Sequence, residues 1–217
     1  MMHTATIKIK VVLGEPSPPP PPPPPPFVGT CIGLRFDDPA SLDWGIFAAG
    51  PVPETPTEID WGDGTTESVP SISQLVHTYP SIGEYEVRLS DTVTALRLSN
   101  ISGAFADYAK RIVSFITNSV NLNSIGALCF NGVSGLETVD LRKGNVTTLN
   151  TRCFDGCVSL SGRLDLPKVN SIFSTAFRGC VNISELHFAK SNEAIITALS
   201  SYDTLFGAVN ARPFFDL

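Results

Sequence analysis

Residues 101–195 repeat with a period of 23–25 residues, and that period decides what the second half of the chain can become. The segments Ile101–Ile125, Ile125–Leu149, Leu149–Ile172 and Ile172–Ile195 each open on an aliphatic residue and place a Phe four or five residues later: Phe105, Phe130, Phe154 and Phe177. Three of them put Gly two residues after that Phe, at Gly132, Gly156 and Gly179. An apolar ladder follows, at Leu136/Val139/Leu141, Leu160/Leu164/Leu166 and Ile183/Leu186/Phe188. One such unit cannot bury its own apolar face, so the units must stack into a solenoid. Solenoids present long surfaces, which points to binding before any motif is considered.

The rest of the chain divides by composition. Residues 1–15 alternate polar and apolar residues like one β-strand, an attachment segment, with Lys8 and Lys10 inside the run. They lack the continuous apolar core and small-residue cleavage site of a secretory signal, so the mature protein is expected to start near Met1. In residues 16–26, Pro18–Pro26 is an unbroken run of nine prolines. It reads as a polyproline II spacer of about 28 Å. A ligand for proline-binding modules is the other reading, and the run lacks the basic flanks that reading wants. Residues 27–98 carry short apolar stretches between turn clusters, at Cys31–Phe36, Trp44–Ala48, Thr57–Trp61, Glu84–Leu89 and Thr94–Leu98. This is the pattern of an all-β domain. Residues 99–217 are the repeats, closed by helical spacing over Asn192–Tyr202 and a last strand within Ala211–Leu217. A helix and strand there would cover the open end of a solenoid.

Charge excludes some partners. Residues 1–98 hold 5 Lys+Arg against 12 Asp+Glu, and residues 99–217 hold 10 against 9. No basic face exists to neutralise phosphates, so nucleic acid is not the expected partner. No apolar run approaches the length of a membrane span. The five Cys fall at Cys31 and in two repeat columns, Cys129/Cys153 and Cys157/Cys180. Small buried thiols are expected there, with bridges between stacked repeats as the alternative. No His accompanies them at zinc-ligand spacing.

Two segments resemble known families. Ile59-Asp60-Trp61-Gly62-Asp63-Gly64-Thr65-Thr66, with His77-Thr78-Tyr79 and Gly83-Glu84-Tyr85-Glu86-Val87-Arg88-Leu89 downstream, resembles the PKD domain, although the turn lacks that family's extra aromatic. Cys153-Phe154-Asp155-Gly156-Cys157-Val158-Ser159-Leu160, then Leu164-Asp165-Leu166-Pro167 and Ile172, resembles the BspA-type leucine-rich repeat, and Phe177-Arg178-Gly179-Cys180 repeats it. The resemblances imply a mainly β protein: a PKD-like β-sandwich (27–98), then a short leucine-rich-repeat solenoid with a helical C-terminal cap (99–217). The repeat resemblance implies one short strand per repeat in a parallel sheet, with a turn or short helix around each Phe.

Function follows from which side chains face away from the core. In repeat strands, alternate residues form three outward columns: Ser114, Thr138, Arg163, Glu185; then Arg97, Ile116, Asp140, Asp165, His187; then Asn118, Arg142, Pro167, Ala189. The candidate ligand-binding residues are Arg97, Thr138, Asp140, Arg142, Arg163, Asp165, Glu185 and His187. A merely solvated face is the competing interpretation. His77 reads as a hydrogen-bonded core residue, and the acids Asp37, Asp38, Asp43, Asp60 and Asp63 lack the spacing of a calcium loop. No nucleophile–base set, P-loop or Rossmann glycine pattern is present, so no enzyme, no metal and no cofactor are expected. Both resemblances imply a surface-recognition protein. The expected role is adhesion to a host-cell surface protein or glycan, on a phage virion or a bacterial surface, with residues 1–15 as the contact to a virion or surface-anchored protein. A structural or decorating virion component is the alternative, and an intracellular interaction scaffold is a third.

Overall fold

The computed structural model describes residues 26–49, 56–70, 73–98, 104–173, 175–188 and 212–215. The expected strand at 1–15, most of the proline run, Ala189 and the expected helix at Asn192–Tyr202 lie outside these residues. The first half holds β1 (Gly29–Phe36), β2 (Asp43–Ala49), β3 (Thr57–Asp60), β4 (Thr66–Val69), β5 (Ser73–Thr78), β6 (Gly83–Ser90) and β7 (Ala95–Arg97). Strand periodicity sets the inside of β1: Ile32, Leu34 and Phe36 are buried, while Cys31, Gly33 and Arg35 take the other face. The β3–β4 hairpin turns through Trp61–Thr65. Asp60 accepts from the Gly62 amide at 2.9 Å, and Asp63 accepts from the Thr65 amide at 3.0 Å. Gly62 has φ 80°, and a Cβ there would lie 2.5 Å from the Glu86 carbonyl oxygen, so only glycine fits. Beneath the turn, Trp61 meets Trp44 edge-on at 6.3 Å, which joins the two sheets through one aromatic cluster.

The second half holds α1 (Ala104–Ala109), β8 (Ile112–Thr117), β9 (Ser124–Ile125), β10 (Thr138–Asp140), β11 (Thr148–Leu149), β12 (Ser161–Leu166), β13 (Ser171–Ile172), β14 (Asn182–Phe188) and β15 (Arg212–Phe215). Each repeat contributes a longer strand and, on the opposite side, a two-residue strand. The repeat resemblance implied one strand, so the second is an addition. It arises because the aliphatic residue that opens each repeat (Ile125, Leu149, Ile172) is itself paired in a parallel ladder.

Between the strands, Phe130, Phe154 and Phe177 stack as a buried spine. Their centroids are 5.1 and 5.4 Å apart, with planes inclined by only 2° and 5°. Phe115 closes one end edge-on at 4.9 Å. Backbone bonds lock the spine in register: Phe130 donates to Cys153 O at 2.7 Å and Phe154 to Ala176 O at 2.8 Å. Two column cysteines add thiol bonds, Cys157 to Phe130 O at 3.2 Å and Cys180 to Phe154 O at 2.9 Å. Each satisfies a carbonyl one repeat earlier. The same turns carry a contact that the sequence reading did not identify. Arg178 donates from Nε to Asp155 Oδ1 at 3.0 Å and from a terminal nitrogen to Oδ2, and Asp155 is buried. These two residues occupy the same position, between Phe and Gly, in successive repeats.

The sheets do not stop at residue 98. One sheet runs β10-β8-β1-β6-β3-β4, a second runs β13-β11-β9-β7-β2-β5, and a third is β12-β14-β15. β1 is antiparallel to both β6 and β8, and β7 joins antiparallel β2 to parallel β9. One continuous hydrophobic core lies under both halves. This corrects one placement. Reading the repeat backwards set Arg97 in the column of Ile116, but the neighbour of Ile116 is Cys31 on β1. Arg97 sits in the second sheet, opposite Ala48, and its side chain lies outside the described residues. The reason is that an antiparallel strand from the other half takes the end position of the repeat ladder.

Candidate binding face

The outer face of the first sheet is built by alternation on β6, β1, β8 and β10. Thr138 pairs with Ser114 and Asp140 with Ile116, as the column reading has them. On the third sheet Arg163 pairs with Glu185 and Asp165 with His187. No ladder joins β10 to β12, which belong to different sheets. Gly162, with φ 76°, sits at a register shift beside Arg163, and a glycine inside a strand is the usual site of such a bulge. At this break lies a cleft of about 380 Å³ lined by Ile116, Thr138, Val139, Asp140, Arg142, Arg163 and Asp165. Five of the eight candidate residues therefore meet in one place. Glu185 and His187 lie on the next strand, outside the cleft lining, with His187 Nδ1 4.0 Å from Asp165.

The charges in the cleft are arranged as acid–base pairs two residues apart in sequence, Arg163 and Asp165 on β12 and Arg142 just beyond the end of β10. Arg142 donates from Nε to Asp140 Oδ1 at 3.0 Å and from Nη2 to Oδ2 at 2.6 Å, and Arg163 donates to Asp165 at 2.6 Å. The Arg142 guanidinium holds the Asp140 carboxyl below its ordinary range. The carboxylates lie down, with side chains 28 and 30 % exposed, while Arg142 and Arg163 stand out at 63 and 50 %. Exposed pairs of this kind add only about 0–1 kcal/mol to folding. Stability therefore does not explain two ordered guanidiniums at the mouth of a cleft.

The face continues into a second cavity of about 590 Å³, which shares Ile116, Asp140 and Arg142 with the first. Its far wall comes from the first half of the chain, through Phe27, Cys31, Glu86 and Arg88. The sequence reading did not include these residues. Arg88 donates to Glu86 at 2.8 Å, the same two-residue acid–base spacing, and that shared spacing was the available signal.

His77 is hydrogen-bonded and packed. Its Nε2 lies 2.8 Å from Asp63 Oδ2, and its ring stacks on Trp61 at 4.7 Å with a 7° tilt. Burial works to raise the Asp63 carboxyl, but bonds from Thr65 and His77 outweigh it and hold the carboxyl low. Asp38 and Asp60 likewise accept bonds within their own turns, and Asp43 accepts from the Thr78 hydroxyl across the β2–β5 ladder at 2.6 Å.

All five thiols are free. Burial pushes Cys31 up to about 11, with Glu86 adding to the rise. Burial, then the neighbouring thiols, put Cys153 well above its usual range; a bond to Cys180, then burial, does the same for Cys157. Native protein at pH 8 is expected to give one slow reaction with Ellman's reagent, at Cys31, because only about 0.1 % of such a thiol is thiolate. All five should react at once in denaturant. Rapid native labelling of two or more thiols would show that the repeat turns open readily.

Comparison with known proteins gives one family. The model of the BspA type leucine rich repeat region matches residues 86–203, in six copies, more than half of the chain. Curated proteins and solved structures give no significant match. Repeats of this type are non-enzymatic modules of protein–protein binding and adhesion. The matched segment begins on β6 and spans the Phe spine, the glycine turns and the cleft, so this chain belongs to the BspA-type leucine-rich repeat family.

Proposed function

We propose that this protein is a non-enzymatic adhesin that recognises a host-cell surface protein or glycan, displayed on a phage virion or a bacterial surface. In this reading residues 1–15 attach to the particle or cell, the prolines of 16–26 project the rest outward, and 27–98 form a PKD-like β-sandwich fused to the repeats. The observation that carries it is the cleft at the β10–β12 break, where two exposed guanidiniums stand over paired carboxylates.

The test is binding of the fluorescently labelled full chain to intact cells from a panel of gut and oral bacteria. Strain-selective binding is expected, reduced at least ~10-fold by the double change Arg142→Glu and Arg163→Glu, since hydrogen bonds to charged groups contribute about 1.5–3 kcal/mol each. No binding to any strain at tens of micromolar would overturn the adhesin reading. It would leave a structural or decorating role.

A further inference from the structure

We infer that the larger cavity, where the two halves of the chain meet, is a subsite for a sugar bearing a carboxylate or sulfate. This inference rests on reading the outer face as the recognition surface, and it adds a ligand class and a second set of residues.

Three observations point there. The first is charge. Arg88, Arg142 and Lys143 line the cavity against Glu86 and Asp140, an excess of one cation. Arg88 and Arg142 are already partnered by the acids two residues before them, whereas Lys143 is exposed and makes no ion pair among the described residues. An anionic group at Lys143 would complete the balance.

The second is the aromatic wall. Phe27 is 37 % exposed, with the Arg88 guanidinium 5.8 Å from its ring centroid. Its backbone is fixed from the repeat half. Asn118 Nδ2 donates to Phe27 O at 2.6 Å, and Asn118 Oδ1 accepts from Gly29 N at 2.8 Å. A ring held this way offers an apolar plate at little entropic cost to binding.

The third is what the floor lacks. The cavity lies over β6, β1 and β8, and β1 is paired along both edges. Its amides and carbonyls are consumed by the sheet. An extended peptide read through its backbone, by strand addition, finds no partner there. What remains is a ring with planar carboxylate and guanidinium groups, which supply acceptors and donors together. Ring hydroxyls need both, and the C–H face of a pyranose needs the plate. The volume of about 590 Å³ falls in the usual range for a small-ligand site.

The test uses the full chain on an array of hexuronate-, sialate- and sulfate-bearing oligosaccharides, with methyl-esterified or desulfated counterparts and a tetraglutamate peptide. Titration calorimetry follows for the best probe. Expected is binding to at least one anionic sugar, weakened ~10-fold or more in its neutral counterpart and in Lys143→Glu, the loss of roughly one charge-assisted contact, and ~10-fold or more in Phe27→Ala, the loss of the apolar contact with the ring. The arms separate carboxylate from sulfate sources. The inference is overturned if no anionic sugar binds up to 10 mM ligand (~2.7 kcal/mol of affinity), if tetraglutamate binds as tightly, or if Phe27→Ala leaves the affinity unchanged. Both changes are at exposed side chains, and thermal melts of each variant check the fold. Cell binding that survives while every sugar fails would overturn this subsite and leave the adhesin reading standing. Sugar binding without cell binding would do the reverse.

Discussion

Phe154→Ala is expected to cost about 3–5 kcal/mol of unfolding free energy, a large share of the ~5–15 kcal/mol that holds a typical domain together. The ring is fully buried, and it is stacked on both sides, 5.1 Å from Phe130 and 5.4 Å from Phe177. Collapse cannot refill the hole easily, because the neighbouring rings hang from backbone bonds that fix the repeat spacing. Removing a central ring also cuts the only kind of coupling a solenoid has, that between neighbours. Urea titration is the measurement. A double-mutant cycle with Phe130→Ala should return a coupling of about 0.5–1.5 kcal/mol beyond area burial. A loss below ~1 kcal/mol, about the average for point changes in general, would mean that the spine fills space without carrying stability.

That spine was legible in the sequence. A repeated Phe-x-Gly at fixed spacing makes its own argument, because stacking copies at one period must bring equivalent atoms together. Gly132, Gly156 and Gly179 do take left-handed φ values of 73°, 78° and 77°. The columns Ser114/Thr138, Ile116/Asp140, Arg163/Glu185 and Asp165/His187 pair for the same reason. The repeat period constrains nothing beyond its own ends. β1 pairs with β8 across more than eighty residues, Cys31 facing Ile116, and an antiparallel pairing between unlike segments leaves no repeat to read. Arg97 was misplaced for that reason, and Phe27 and Arg88 were not seen as walls of the face. β4 escaped because three of its four residues are exposed, so it has no apolar alternation. The Asp155–Arg178 clasp and the bulge at Gly162 had signals: opposite charges at one repeat position, and a glycine inside a strand.

The largest expected effect comes from dividing the chain at residue 98. Neither residues 27–98 nor residues 99–217 should hold a native tertiary structure alone, and the intact chain should melt in one transition. A cut there strips β1 of β8 along Thr30–Leu34 and strips β7 of β9. It exposes Phe115, which packs under β1 at the foot of the Phe spine. It leaves the buried Thr30 and Thr117 hydroxyls, 3.0 Å apart, without each other. It also removes Asp91 from a loop that depends on it, since Asp91 accepts bonds from the Ser119 hydroxyl and the amides of Val120 and Asn121. A separated first half would carry two newly bare strand edges, β1 and β7, and bare edges pair with other copies. Calorimetry of the full chain should give a van't Hoff enthalpy equal to the calorimetric one. The fragments should show broad melts, dye-binding apolar surface and aggregation. A fragment 27–98 that melts sharply, within a few degrees of the intact chain, would show that the β1–β8 and β7–β9 ladders join two folds without stabilising either. The cavity that both halves line would then lose its fixed shape, because Asn118 could hold Phe27 in place only while the halves stay docked.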